Sequence, residues 1–187
     1  IDLLNPAGQP QRMQLVVRGY NDGFAFCYKI PDGKGPCVNV QSELTAYNFA
    51  GDYTAWFYNG ENHNIGPEKL TETDGTRLPV MTVKAGDKHY MAIHEACLET
   101  GAPLVLQSKG GESLFSVASK PTSLSPGYTS AWRVVLYGTT PGVLTDSHLL
   151  ELLNPDPDSR YDFSWVKPGL AVWDWRINGA VWDGFTY

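Results

Sequence analysis

Nowhere in this 187-residue sequence does an apolar stretch approach the roughly eighteen residues that a membrane-spanning helix requires. Positive charge is scarce and scattered. Fourteen Lys and Arg stand against 20 Asp and Glu, for a net charge of −6, and they form no basic stripe that could track a phosphate backbone. These absences argue against a helical membrane span and against nucleic acid as a partner. Cysteine is sparse too. Cys27, Cys37 and Cys97 are odd in number and lack C-x2-C spacing, which argues against zinc. Cys27 and Cys37 flank a Pro/Gly turn and could face each other in one bridge; buried free thiols are the alternative. His63, His89 and His148 have no metal-ligand spacing and read as surface histidines. A G-x-S-x-G elbow, a P-loop and a dinucleotide fingerprint are all missing. The sequence opens at Ile1 with no charged n-region or cleavage site, which leaves export undecided.

Turn formers and tyrosine are plentiful: Gly 19, Pro 13 and Tyr 10, with 42% hydrophobic residues. That composition suits one domain of many short strands with a real core, with room for an extra arm. Strands are expected at 12–18, 24–30, 43–49, 53–58, 78–83, 89–97, 103–107, 114–118 and 130–137. Asp22-Gly23 between the first two is a hairpin signal, because both residues tolerate positive φ. The polar stretch 59–77 is long for a loop and is a candidate functional arm. One helix is expected at 146–153, with Thr145, Asp146 and Ser147 as cap candidates and Leu149, Leu150, Leu152 and Leu153 as its apolar stripe. Asn154-Pro155 ends it, and 155–160 reads as an exposed linker. Strand-dense sequence with frequent turns favours a sandwich.

Chemistry is concentrated in a few places. In the strand HYMAIHEACL, Tyr90, Ala92, His94 and Ala96 share one face and Met91, Ile93, Glu95 and Cys97 the other. Glu95 thus falls on an apolar face, where a carboxylate must be paired, protonated or metal-bound. Two readings stay open: a strand-end salt bridge with an arginine, or a ligand for a hard cation such as calcium. Near the end of the sequence, Trp165 and the Lys167-Pro168-Gly169 turn lead through an apolar run to Trp173, Asp174, Trp175 and Arg176. Rings beside charge at the end of a strand suit a sugar-sized ligand, although at least one of Trp173 and Trp175 is expected to be core. So little sequence follows that the expectation is a piece of a larger carbohydrate-active protein, cut at both ends. Trp132-Arg133, and Trp56 with Tyr53 and Tyr58, read better as packing than as binding sites. Glu43, Asp52, Glu68, Glu72, Asp74, Asp87, Glu99 and Glu151 are scattered, and none forms a matched pair for glycoside hydrolysis.

The strings ELTAYNFAGDYTAWF (43–57), YMAIHEACL (90–98), SAWRVVLYG (130–138) and FSWVKPGLAVWDWR (163–176), in this order and spacing, resemble glycoside hydrolase family 97. The resemblance covers the sequence from about Tyr20 onward. It implies an all-β, galactose-mutarotase-like antiparallel β-sandwich (supersandwich) over 1–140, a helical linker over 141–168, and the start of a (β/α)8 catalytic barrel over 169–187. Upstream strands of the sandwich would precede Ile1, and the open edges they leave would make the piece poorly soluble alone. Family members are calcium-dependent, exo-acting α-glucosidases and α-galactosidases, mostly exported to the periplasm.

By this resemblance Glu95 is a calcium ligand, and Trp173, Asp174, Trp175 and Arg176 belong to the sugar pocket. Arg176 stands where an aromatic is common. The catalytic carboxylates would be barrel residues and none is carried over. The implied partners are an oligosaccharide with a terminal α-linked hexose and the catalytic barrel of the same polypeptide. A non-catalytic carbohydrate-binding module is the rival. A mutarotase-type epimerase using His94 and Glu95 ranks below both, since adjacent strand residues face opposite ways without a bulge.

Overall fold

A computed structural model describes residues 2–4, 10–58, 64–99 and 102–171. Two compact units divide the chain, 1–155 and 156–187. The first opens with strands β1 (Asp2–Leu4), β2 (Pro10–Tyr20) and β3 (Gly23–Lys29). Then come β4 (Val38–Val40), β5 (Ala46–Asn48), β6 (Thr54–Tyr58), β7 (Asn64–Lys69) and β8 (Asp74–Lys84). The last five strands are β9 (Tyr90–Ala96), β10 (Leu106–Lys109), β11 (Leu114–Val117), β12 (Thr122–Leu124) and β13 (Trp132–Gly138).

Pairing is antiparallel throughout, and the main path runs β1-β2-β3-β13-β9-β8-β10-β11-β5, with β6 joined to β7 and β8. β8 belongs to both layers. Its residues Met81 to Lys84 pair with β9, while Asp74 to Arg77 pair with β10. The result is the expected antiparallel β-sandwich. Its core comprises Phe57, Met81, Val83, Ile93, Leu106 and Phe115 with smaller neighbours. Burying each large side chain contributes about 1.5–3 kcal/mol.

The opposite face of the β3–β13–β9 ribbon is covered by helices α1 (Pro141–Asp146) and α2 (Leu149–Leu153). Leu149 and Leu153 close a second cluster over Ala25, Cys27, Ala92, Trp132, Val134 and Leu136. Both faces of β9 are therefore covered, with Ala92 and Ala96 toward the helices and Ile93 toward the sandwich core. The helix expected at 146–153 is observed as the shorter Leu149–Leu153, and a second short helix, Pro141–Asp146, precedes it. Ser147 and His148 separate the two: Ser147 Oγ accepts the Leu149 N–H at 3.2 Å and donates to Asp22 Oδ2, and His148 stands at the N-cap of α2, inside the expected span.

Two other expectations change. The stretch 59–77 is largely structural rather than an arm: Asn64–Lys69 pairs with β6, and Leu70–Glu72 forms a 3-10 turn whose Leu70 is buried. Residues 59–63 lie outside the described residues. The hairpin between β2 and β3 forms with Tyr20 opposite Gly23. Asn21 and Asp22 keep negative φ, however, so the glycine acts differently from the expected turn. In the second unit, residues 156–171 form turns held by Arg160 to Asp158 and by the Ser164 N–H to Asp162.

Candidate functional site

Strands β9 and β13 pair in unbroken register from Trp132 opposite Ala96 to Gly138 opposite Tyr90, which sets Arg133 directly across from Glu95. Cross-strand partners have Cβ atoms about 5 Å apart, so long side chains on one face meet. A third residue, Glu43, arrives from the segment just before β5 and grips Arg133 bidentately: Arg133 Nε donates to Glu43 Oε1 at 3.0 Å and Nη2 to Oε2 at 2.7 Å. Arg133 Nη1 lies 3.5 Å from Glu95 Oε2, yet has no hydrogen-bond partner. The Leu104 N–H donates to that same Glu95 oxygen at 2.6 Å. Side-chain exposure is 4% for Arg133, 8% for Glu95 and 17% for Glu43, so the ions at the two ends differ in their access to water.

Burial alone would lower the Arg133 pKa, but the bonds to Glu43 outweigh it and raise the pKa. Tyr47, whose hydroxyl is buried without a hydrogen-bond partner, has its pKa pushed up by desolvation, opposed by Arg133. Glu43 is itself anchored, its N–H donating to Ser119 Oγ at 2.7 Å. Glu43 and Arg133 line a cavity of about 940 Å³ together with Tyr28, Ser42, Tyr128 and Ser130. The chemistry here is charge fixation. Two carboxylates, Glu43 and Glu95, converge on one guanidinium.

The profile of the N-terminal domain of glycosyl-hydrolase 97 matches residues 3–155. This chain belongs to glycoside hydrolase family 97. It is 27% identical, over 86% of its length, to a retaining alpha-galactosidase of Bacteroides thetaiotaomicron, and 29% identical, over 90% of its length, to a probable retaining alpha-galactosidase of Streptomyces bingchenggensis. It covers only 30% and 27% of those two proteins. A solved family 97 enzyme from a Pseudoalteromonas strain, in complex with acarbose, superposes with a TM-score of 0.72 at 25% identity, over 86% of this chain and 27% of that one.

Within this family 97 domain, the apolar-face position expected for Glu95 is observed, and so is an arginine beside it. His94 does not join Glu95 at a common substrate: the register of β9 with β13 has no bulge, and His94 Nδ1 takes the Glu95 N–H at 2.8 Å. Trp132 is buried, as expected, with the Arg18 guanidinium 4.7 Å from its ring centroid. Trp56 and Tyr58 are more exposed than the packing reading had them, because their β6 neighbours Ala55 and Phe57 hold the core face.

His89 and His148 are exposed, and His89 stacks on Tyr137 with a 2.7 Å hydrogen bond. All three cysteines are free, Cys27 buried and Cys37 exposed, so the bridge between them is not formed. His63 and the cluster Trp173, Asp174, Trp175 and Arg176 lie outside the described residues. Among the described residues no three His, Cys, Asp or Glu side chains converge as a metal cage. Glu43 and Tyr47 are the members of the site that sequence reasoning missed. Glu43 stood among the scattered acids, and only its pairing across 90 residues reveals it.

Proposed function

We propose that the polypeptide carrying this chain is an exo-acting α-glycosidase that removes terminal α-linked hexose from oligosaccharides, with α-galactosides preferred. The family match over residues 3–155 carries the reading. The substrate preference rests on the names of the two curated relatives. In this reading the chain supplies no catalytic acid or base. It supplies Glu95, and through Trp173, Asp174, Trp175 and Arg176 part of the pocket wall. Export to the periplasm belongs to the same proposal, on the family resemblance.

Calcium is part of the proposal as well. Calcium is coordinated by six to eight oxygens, and the described residues fit as one donor among them. Glu95 Oε2 is already engaged by the Leu104 N–H and faced by Arg133, while none of those contacts uses Oε1. The remaining ligands would come from elsewhere in the polypeptide. When bound, calcium supplies Lewis-acid polarisation of a substrate oxygen. Glu95, buried on β9 with Arg133 of β13 as its ladder partner and its Oε2 held by the Leu104 N–H, would hold its carboxylate in place with little reorientation.

The test is an assay of the full-length polypeptide on p-nitrophenyl α-galactoside and α-glucoside, before and after EDTA, with calcium added back. Turnover of the galactoside that EDTA abolishes and calcium restores is the expected result. No turnover of either substrate overturns the glycosidase reading, and turnover indifferent to EDTA overturns the calcium part.

A further inference from the structure

We propose that Glu43 is a positioning residue that holds Arg133 away from a full hydrogen-bonded pair with Glu95, and so keeps the Glu95 carboxylate available to calcium. The inference rests on the calcium reading above. Its starting point is an asymmetry. Arginine offers a carboxylate a planar fork of two parallel N–H donors, and Arg133 spends that fork entirely on Glu43 at 3.0 and 2.7 Å. Of its remaining donors, Nη1 is the atom that stands near Glu95, buried, 3.5 Å away and making no hydrogen bond. Glu95 lies directly opposite Arg133 in the ladder, whereas Glu43 must reach in from a separate segment. The local pair is thus the loose one and the distant pair is the tight one.

Charge points the same way. Arg133 contributes +1 and the two carboxylates −2, leaving the cluster at −1. Glu43 keeps some access to water, but Glu95 is 8% exposed and cannot shed its share of that charge to solvent. A buried carboxylate only loosely paired is costly unless a cation completes it. The Leu104 N–H fixes Oε2 at 2.6 Å, which orients the carboxylate without neutralising it. Orientation comes from one neighbour and restraint of the competing cation from another. That division suits a metal ligand with an outer shell of supports.

The experiment measures calcium binding to the EDTA-stripped full-length polypeptide by isothermal titration calorimetry, with circular dichroism to confirm folding. Glu43→Gln keeps the size of the side chain but removes the charge and one of the two acceptor oxygens, so the hold on Arg133 weakens and the guanidinium is free to turn onto Glu95. Calcium binding should weaken about 10- to 100-fold, the usual effect of removing an outer-shell partner. Adding Arg133→Gln removes the competitor and should restore binding to wild-type strength or better.

That recovery separates positioning from a merely structural role, in which the double variant would bind no better than the single one. A Glu43→Gln affinity within twofold of wild type, or a double variant without recovery, overturns the inference while leaving the calcium reading intact. Wild-type protein that binds no calcium, or Glu95→Gln that binds as wild type does, overturns the calcium reading and the inference with it.

Discussion

Gly23 is pressed against the backbone of Val135: a Cβ at Gly23 would stand 2.3 Å from the Val135 carbonyl oxygen and 3.0 Å from the Leu136 Cα. The glycine closes the β2–β3 hairpin by letting two backbones touch, so both partners are rigid and neither can yield. Gly23→Ala is expected to destabilise the domain by on the order of 3 kcal/mol. Urea unfolding followed by tryptophan fluorescence measures it, and a loss under about 1 kcal/mol would contradict the close approach.

The Arg133 guanidinium is the positive charge facing both Glu43 and Glu95, and its removal strands Glu95 on a dry face. Arg133→Met is expected to cost about 3–5 kcal/mol, the range for breaking one side of a buried pair. Arg133→Met with Glu95→Gln should recover part of that loss. A double variant as unstable as the sum of the two singles would mean that Arg133 and Glu95 do not interact.

Tyr47 carries a buried hydroxyl without a hydrogen-bond partner. Desolvating an unpaired hydroxyl costs about 1–3 kcal/mol, so Tyr47→Phe should be neutral or stabilising. A clear drop in the midpoint of thermal unfolding would show that the hydroxyl has a partner.

Alkaline pH should unfold the domain more readily. Burial raises the Cys27 thiol above its ordinary 9.0 and the Tyr47 phenol above its ordinary 10.0. Both groups are neutral when protonated, so with rising pH the unfolded chain ionises before the native one. Their contribution to stability is complete below about pH 9 and is lost as pH climbs through the raised native values. Urea midpoints should fall between about pH 9 and 11, and less steeply in Tyr47→Phe. A flat profile over that range would rule out burial as the cause.

Thiol accessibility gives a simpler check. Cys37 is exposed and Cys27 buried, with no bridge between them. Under native conditions iodoacetamide should label Cys37 readily, with Cys27 labelled only after denaturation. Peptide mass mapping that found Cys27 modified in the native protein would contradict its burial in the helix-covered cluster.

Much of the strand pattern was legible because alternation is a local property. The strand over 90–96 could be read residue by residue, including which face holds Glu95, since side-chain direction needs no knowledge of neighbours. Expected boundaries slipped where hydrogen bonding to a distant strand, rather than composition, ended the element: of the run 43–49, Ala46–Asn48 are ladder partners of β11 and Thr45 and Phe49 add flanking backbone bonds, while Glu43 and Leu44 stand outside. The leucine stripe of the helix expected at 146–153 was read correctly and lies in α2, but its start was set too early, because the Ser147 hydroxyl is tied to Asp22, a contact spanning 125 residues. Glu43 was illegible for the same reason. Nothing in its own neighbourhood distinguishes it from seven other acids until tertiary structure brings Arg133 to it. The resemblance to family 97 could be stated from short strings because the order of motifs survives even where pairing partners cannot be read.

The placement of β13 between β3 and β9 also sets a timetable for synthesis. Val134 pairs with Ala25, 109 residues earlier in the chain. A ribosome adding about 5–20 residues per second needs roughly 5–20 s to bridge that interval. For that time the finished β2–β3 hairpin waits beside the exit tunnel with an unzipped border displaying Phe24 and Phe26, neither yet matched by Val135 or Arg133. Anything that lengthens the wait, such as slow codons between β3 and β13, prolongs exposure of a sticky ribbon to its neighbours on the polysome.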